Sequence, residues 1–352
     1  MKHLITGIQQ VGIGVTDADD AKLYYKQLFG FATKVFDDEA DATLMTHYTG
    51  DTIHRRRAIL SMNMAGGGGF EIWQYLSRQA TIQPEVIRPG DTGILAVKIK
   101  TANIYKTHKR LSGEKLAVIT PVIMSPNSKL NFWIKDIFGH WFNIIEFDDW
   151  FNKDKACCGG VAGVVIGVSD INTSYKFYSH YMGINDKELK YERTLSDFPF
   201  ISSNKDEYFS AMLLKKRCAA SGPFSRLLGG FEIELIQSWK ATGRHLFENR
   251  FWGDCGFIHL CFDVSDMEGL KKKIEGKGVN FTVDSKNSFA MGKAAGRFCY
   301  IEDPDGTLIE LVETHRVPVF RKLGIYFKLK KGNKRKPLPA WMINMMGFSK
   351  IK

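Results

Sequence analysis

In residues 8–31, IQQVGIGVTDADDAKLYYKQLFGF, apolar and small positions alternate as far as Val15, and apolar residues then recur at three- and four-residue spacing until Gly30. The alternation predicts a half-buried strand, and the later spacing predicts a helix capped by Asp17 and stopped by Gly30 in a left-handed conformation. Residues 161–184, VAGVVIGVSDINTSYKFYSHYMGI, repeat the pattern at a constant offset of 153, with Asp170, Tyr178 and Gly183 at the places of Asp17, Tyr25 and Gly30. Looser copies begin at GILAVKIKTANIYKTHKRLS (93–112) and GFIHLCFDVSD (256–266). Each copy closes on a strand preceded by glycine: GGGFEIWQY (67–75), GHWFNIIEF (139–147), GGFEIELIQ (229–237) and DGTLIELVE (305–313). Four units of about 70 residues follow from this self-similarity. They predict two domains, 1–150 and 158–315, joined by WFNKDKACCGG, with 316–352 as an extension.

The chain of 352 residues carries 49 Lys+Arg against 38 Asp+Glu, a net charge of +11 that raises nucleic acid as a partner. Eleven of those basic residues lie in 316–352, which has no Asp or Glu, so the repeat body is electrically balanced. The charge therefore belongs to a tail, and no nucleic-acid partner is expected. The tail joins a basic stretch to an apolar segment around Trp341–Phe348 and is expected to dock back on the body. No apolar run is long enough for a membrane span, and six scattered cysteines show neither metal-ligand spacing nor a disulfide framework. Together these predict a cytoplasmic protein.

The segments HLCFDVSD (259–266) and GRFCYIEDPDGTLIELVE (296–313), supported by VGIGVTD (11–17) and GVVIGVSD (163–170), resemble the vicinal oxygen chelate superfamily. That superfamily includes glyoxalase I, bleomycin- and fosfomycin-resistance proteins and extradiol dioxygenases. The resemblance implies an α+β fold in which four βαβββ units pair into two cup-shaped mixed sheets, with a divalent metal in the cup. It also implies ligands on the first strand of a unit, seven residues before its Asp, and at the acidic position of the last strand. Those positions are Gln10 and Glu71, Ile94 and Asn143, Gly163 and Glu234, and His259 and Glu310 in the four successive units.

With neighbouring units paired within each half, the second domain would hold metal through Glu234, His259 and Glu310 and leave one position open for water or substrate. Imidazole plus two carboxylates suits Fe, Mn, Ni, Zn or Co. Strand alternation agrees independently that His259 and Glu310 each point away from the apolar faces of their strands. Glu232 shares a face with Glu234, so the ligand choice between them stays open, and Glu310 and Glu232 are candidate proton carriers. The first domain, with Ile94 and Asn143 at two ligand positions, is expected to have a degenerate metal site. Its Gln10, Glu71, Trp73, Trp141 and Asn143 are candidate substrate contacts, as is His245 from the loop before the fourth unit.

The function expected from this set is a divalent-metal-dependent lyase, isomerase or dioxygenase acting on a small oxygen-chelating organic substrate. The alternative is a binding protein of the resistance type that sequesters a small molecule without chemistry.

Overall fold

In the computed structural model the described residues are all but 1–3, 83–85, 154–155, 204–205, 287–288, 292–293, 321–324, 330–335 and 352. Each unit opens on a long strand: Ile5–Gly14, Gly93–Thr101, Cys158–Gly167 and Gly256–Val264. A helix follows in each, and the expected caps are present. Asp17 accepts hydrogen bonds from the amides of Asp19 and Asp20, Asp170 from Thr173 and Asp266 from Gly269. Gly30 ends the first helix at φ 76, a conformation that costs a residue with a Cβ far more than glycine. The third helix is short, Ile171–Tyr175, and widens into a π turn over Lys176–Tyr181.

The last strand of each unit runs parallel to its first, as in Gln10–Gly14 beside Gly69–Trp73, and the units then join through antiparallel pairing of first strands. The partners do not come from the same half of the chain. Ile5–Gly14 pairs with Gly256–Val264, and Gly93–Thr101 pairs with Cys158–Gly167. One curled sheet thus combines units one and four, and the other combines units two and three. This corrects the expectation of one cup within 1–150 and one within 158–315, since each half of the chain supplies one unit to each cup. The chain passes from one sheet to the other between Tyr75 and Gly93 and again between Ser238 and Gly256, and the two passages meet at the Thr92–His245 bridge, whereas units two and three continue within one sheet.

Successive units in one half are fastened by the repeated tyrosine. The Tyr25 hydroxyl donates to Asp136 Oδ2 at 2.8 Å, and the Tyr178 hydroxyl to Asp303 Oδ2, also at 2.8 Å. Each acceptor sits in the turn before the last strand of the following unit, which explains why Asp136 and Asp303 recur at matched places. The main core draws alternate residues from both sheets and the helices, with Phe70 and Ile72, Phe142 and Ile144, Ile233 and Leu235, and Ile309 and Leu311 all buried in it. Because strand residues alternate faces, Glu71, Asn143, Glu234 and Glu310 project the other way, into the cups.

The tail docks as expected. Leu338, Met342 and Ile343 are buried in an apolar cluster, Lys350 bridges Thr33, and the Ile351 amide donates to the Ala32 carbonyl at 2.9 Å. Much of its charge, namely Arg321, Lys322, Lys330, Lys331, Lys334, Arg335 and Lys352, lies outside the described residues. Among the described residues no helix is long and apolar enough to cross a membrane, and all six cysteines are free.

Candidate functional site

Pairing unit one with unit four brings four ligand positions to one cup. Gln10 and His259 stand on its two adjoining first strands, Glu71 and Glu310 on the strands that flank them. His259 Nε2 lies 3.3 Å from Glu71 Oε2 and 3.2 Å from Glu310 Oε2, with an aligned hydrogen bond to neither. Gln10 Nε2 donates to the same two oxygens at 3.0 and 3.2 Å, while its Oε1 is buried without a partner. Ligand atoms of Glu71, His259 and Glu310 all fall within 4.8 Å of one another, and all three residues are buried.

Two carboxylates turned on one point beneath an imidazole are costly without a cation. Burial opposes protonation of His259, but the Glu310 and Glu71 carboxylates outweigh it and push the imidazole up to about 9. A divalent metal would meet the same need, released from competition once that proton leaves. The donor set fits one: a neutral imidazole, two carboxylate oxygens, and the Gln10 amide, which presents Oε1 to the same point when turned over. Gly12 makes room for this arrangement, because a Cβ there would meet His259 Cε1 at 2.4 Å and Nδ1 at 2.6 Å. On its far side His259 Nδ1 faces the Tyr300 hydroxyl at 3.4 Å.

A cavity of about 320 Å³ opens over these groups, lined by Phe36, Met45, Trp73, Trp252, Phe298 and Tyr300 among others. Trp73 and Trp252 meet edge to face with ring centroids 4.1 Å apart, and the indole Nε1 of each is buried without a partner. Arg56 also lines the cavity; its guanidinium sits over the Trp73 ring at 5.1 Å and pairs with Asp38 at 3.2 Å.

The second cup has a different chemistry. Its ligand positions are Gly163, Ile94, Asn143 and Glu234, so Glu234 is not brought to His259 and Glu310. Instead Lys98 Nζ lies 2.7 Å from both Glu232 Oε1 and Glu234 Oε2. Glu234 Oε1 also accepts from the Tyr191 hydroxyl at 2.7 Å and pairs with Arg193 at 3.3 Å, and Glu232 pairs with Lys215 at 3.3 Å. Burial works to raise the Glu234 carboxyl, yet Lys98 and Arg193 prevail and hold it down to about 2. Both candidate carboxylates are therefore neutralised by side chains, and Glu232 is remote from the cup that holds Glu310. Gly163 cannot regain a ligand in place, because a Cβ there would meet the Glu232 carbonyl oxygen at 2.1 Å.

The other candidates separate. Trp73 lines the first cup with Gln10 and Glu71, and Asn143 lines the second, donating to Asn131 Oδ1 at 2.9 Å. Trp141 packs near Phe200, with centroids 6.3 Å apart. His245 lies in the crossing connector, where Nδ1 accepts from the Phe247 amide at 3.2 Å and burial pushes its pKa down; it lines neither cup. Lys98, Arg193, Tyr191, Trp252 and Gly12 were missed by the sequence reasoning. Lys98 alone carried a visible signal: a lysine in a strand otherwise reading as buried.

A family model described as Glyoxalase/Bleomycin resistance protein/Dioxygenase superfamily matches residues 7–144 and 160–311. Lactoylglutathione lyase of Pseudomonas aeruginosa is 24% identical over 151 residues, which are 42% of this chain and 79% of that one. Among solved structures, glyoxalase I from Zea mays aligns with a TM-score of 0.53 at 14% identity, covering 87% of this chain and 92% of the other. A candidate dioxygenase from Bacillus subtilis aligns with a TM-score of 0.55 at 13% identity, covering 89% and 86%. At such identities the structural likeness carries the fold alone.

Proposed function

Because the chain belongs to the Glyoxalase/Bleomycin resistance protein/Dioxygenase superfamily, we propose that it is a divalent-metal-dependent lyase or isomerase acting on a small organic substrate with two adjacent oxygens, in the cup formed by units one and four. The observation that carries this reading is the convergence of Gln10, Glu71, His259 and Glu310, with Gln10 Oε1 and His259 Nε2 buried and lacking aligned partners. A metal held by these four residues supplies Lewis acidity toward the substrate oxygens. One histidine with two carboxylates departs from the two-histidine, one-carboxylate set of non-haem iron oxygenases, which favours redox-neutral chemistry over ring cleavage.

The chain's own residues perform the rest. Phe36, Trp73, Trp252 and Tyr300 enclose the substrate body and exclude water. The buried indole N–H groups of Trp73 and Trp252 offer donors to its oxygens. Glu310, on the cup face beside the imidazole, takes a proton from one substrate carbon and returns it to the neighbouring position, with Glu71 as its counterpart across His259.

Metal analysis of protein purified without chelators, beside Glu71→Gln, His259→Ala and Glu234→Gln, tests the reading. About one ion per chain is expected in the parent and in Glu234→Gln, with loss in the other two. Equal metal content in all four proteins overturns it. Turnover of hemithioacetals of 2-oxoaldehydes and of catechols then separates isomerase from oxygenase chemistry.

A further inference from the structure

The cup formed by units two and three keeps a cavity of about 290 Å³ although three of its four ligand positions carry no acidic or imidazole group. Its floor is an assembled polar network. Lys98, only 3% exposed, spans Glu232 and Glu234 at 2.7 Å to each, and Tyr191 and Arg193 close round Glu234. Burial acts to lower the lysine pKa, but the two carboxylates outweigh burial and keep it charged. A tethered ammonium thus stands beside the carboxylate that corresponds to Glu71, where the first cup gathers its ligands.

The two cavities also differ in sign. The first is lined by one basic and four acidic residues, a cation-seeking set. The second is lined by seven basic and five acidic residues, and the carboxylates deepest in it are already paired. At its rim Lys187 and Arg217 have no ion-pair partner among the described residues. Hydrogen-bond donors remain unused inside: Trp133, 2% exposed, lines the cavity with a buried and unpartnered indole Nε1, and an ammonium has three N–H groups where Lys98 has two carboxylate partners. Ile145, Phe147 and Phe231 supply apolar wall. A buried donor left without an acceptor is unfavourable, and an oxyanion entering an electropositive, partly apolar cavity would satisfy it.

We propose that this second cup is a metal-independent binding site for a small organic acid, whose carboxylate meets the Lys98 and Trp133 donors and whose apolar or aromatic body lies on the Phe147 and Phe231 wall. The site is separate from the proposed metal centre and stands or falls without it.

Salicylate is the probe, titrated calorimetrically into the full chain both metal-loaded and after chelator treatment. Saturable binding of one equivalent is expected in both forms, unaltered in Glu71→Gln. Trp133→Phe and the exposed double variant Lys187→Glu/Arg217→Glu should each weaken it by at least about tenfold. The rim variant guards against a folding defect in Trp133→Phe, which circular dichroism and the melting temperature monitor. Four results would each overturn the proposal: no saturable binding at millimolar salicylate, loss of binding on chelation or in Glu71→Gln, unchanged affinity in the rim variant, or inorganic phosphate binding as tightly as salicylate.

Discussion

Gly12→Ala is a one-methyl test of the first cup that replaces none of its polar groups. In place, the new Cβ would lie 2.4 Å from His259 Cε1, 2.6 Å from Nδ1 and 2.8 Å from Nε2, where ordinary contact begins near 3.4 Å. The imidazole must therefore retreat by about 1 Å, or the two strands must part, because the contact is with a ring and not a flexible chain end. His259 is fully buried, so the movement pushes into packed neighbours and costs about 1–3 kcal/mol of stability. For a chain of 352 residues that is about 1–2 °C in Tm per kcal/mol, at roughly 2.1 cal/mol/K of unfolding entropy per residue. Metal sites tolerate ligand shifts of only about 0.2 Å, so a displaced imidazole no longer serves. Isothermal titration with a divalent metal is expected to show affinity reduced by at least about 100-fold, more than the usual loss from disturbing an outer-shell contact. A Gly12→Ala protein that keeps its fold and binds metal like the parent refutes both the assigned ligand role of His259 and the close-approach argument.

Further outcomes follow from the second cup and the tail. Lys98→Met leaves Glu232 and Glu234 buried against fewer cations and should cost about 3–5 kcal/mol in urea unfolding, partly recovered by adding Glu234→Gln. Glu234 is held down to about 2 from its ordinary 4.5, so its ion pairs contribute fully above that ordinary value and lose their contribution as pH falls toward about 2. The stability gap between the parent and Glu234→Gln should accordingly narrow across that window in pH-dependent denaturation; a gap constant with pH contradicts the pairing. Deleting 336–352 removes the buried Leu338, Met342 and Ile343 and should lower Tm while metal content stays near one ion per chain. Metal loss in that truncation would contradict the tail's purely structural role.

Much of this architecture is written in local pattern. The repeat of Asp, Tyr and Gly located two helices and their caps, and the family resemblance marked Glu71, Glu234 and Glu310 as ligand positions; strand alternation is the reason all three face a cup. All four residues of the candidate metal set stood at their unit's ligand positions in the sequence. Which units share a cup was not legible there. The first strands VGIGV, ILAV, VVIGV and IHLCF have much the same apolar character, so each is an acceptable neighbour for any other, and pairing by adjacency places His259 with Glu234. The tertiary structure decides otherwise through contacts far apart in the chain: the crossing connectors, the Tyr25–Asp136 and Tyr178–Asp303 fastenings, and the close fit of His259 over Gly12. Local sequence thus determined what each strand offers to a cup, and only the long-range pairing decided that Gln10 and Glu71 meet His259 and Glu310 while Glu234 meets a lysine.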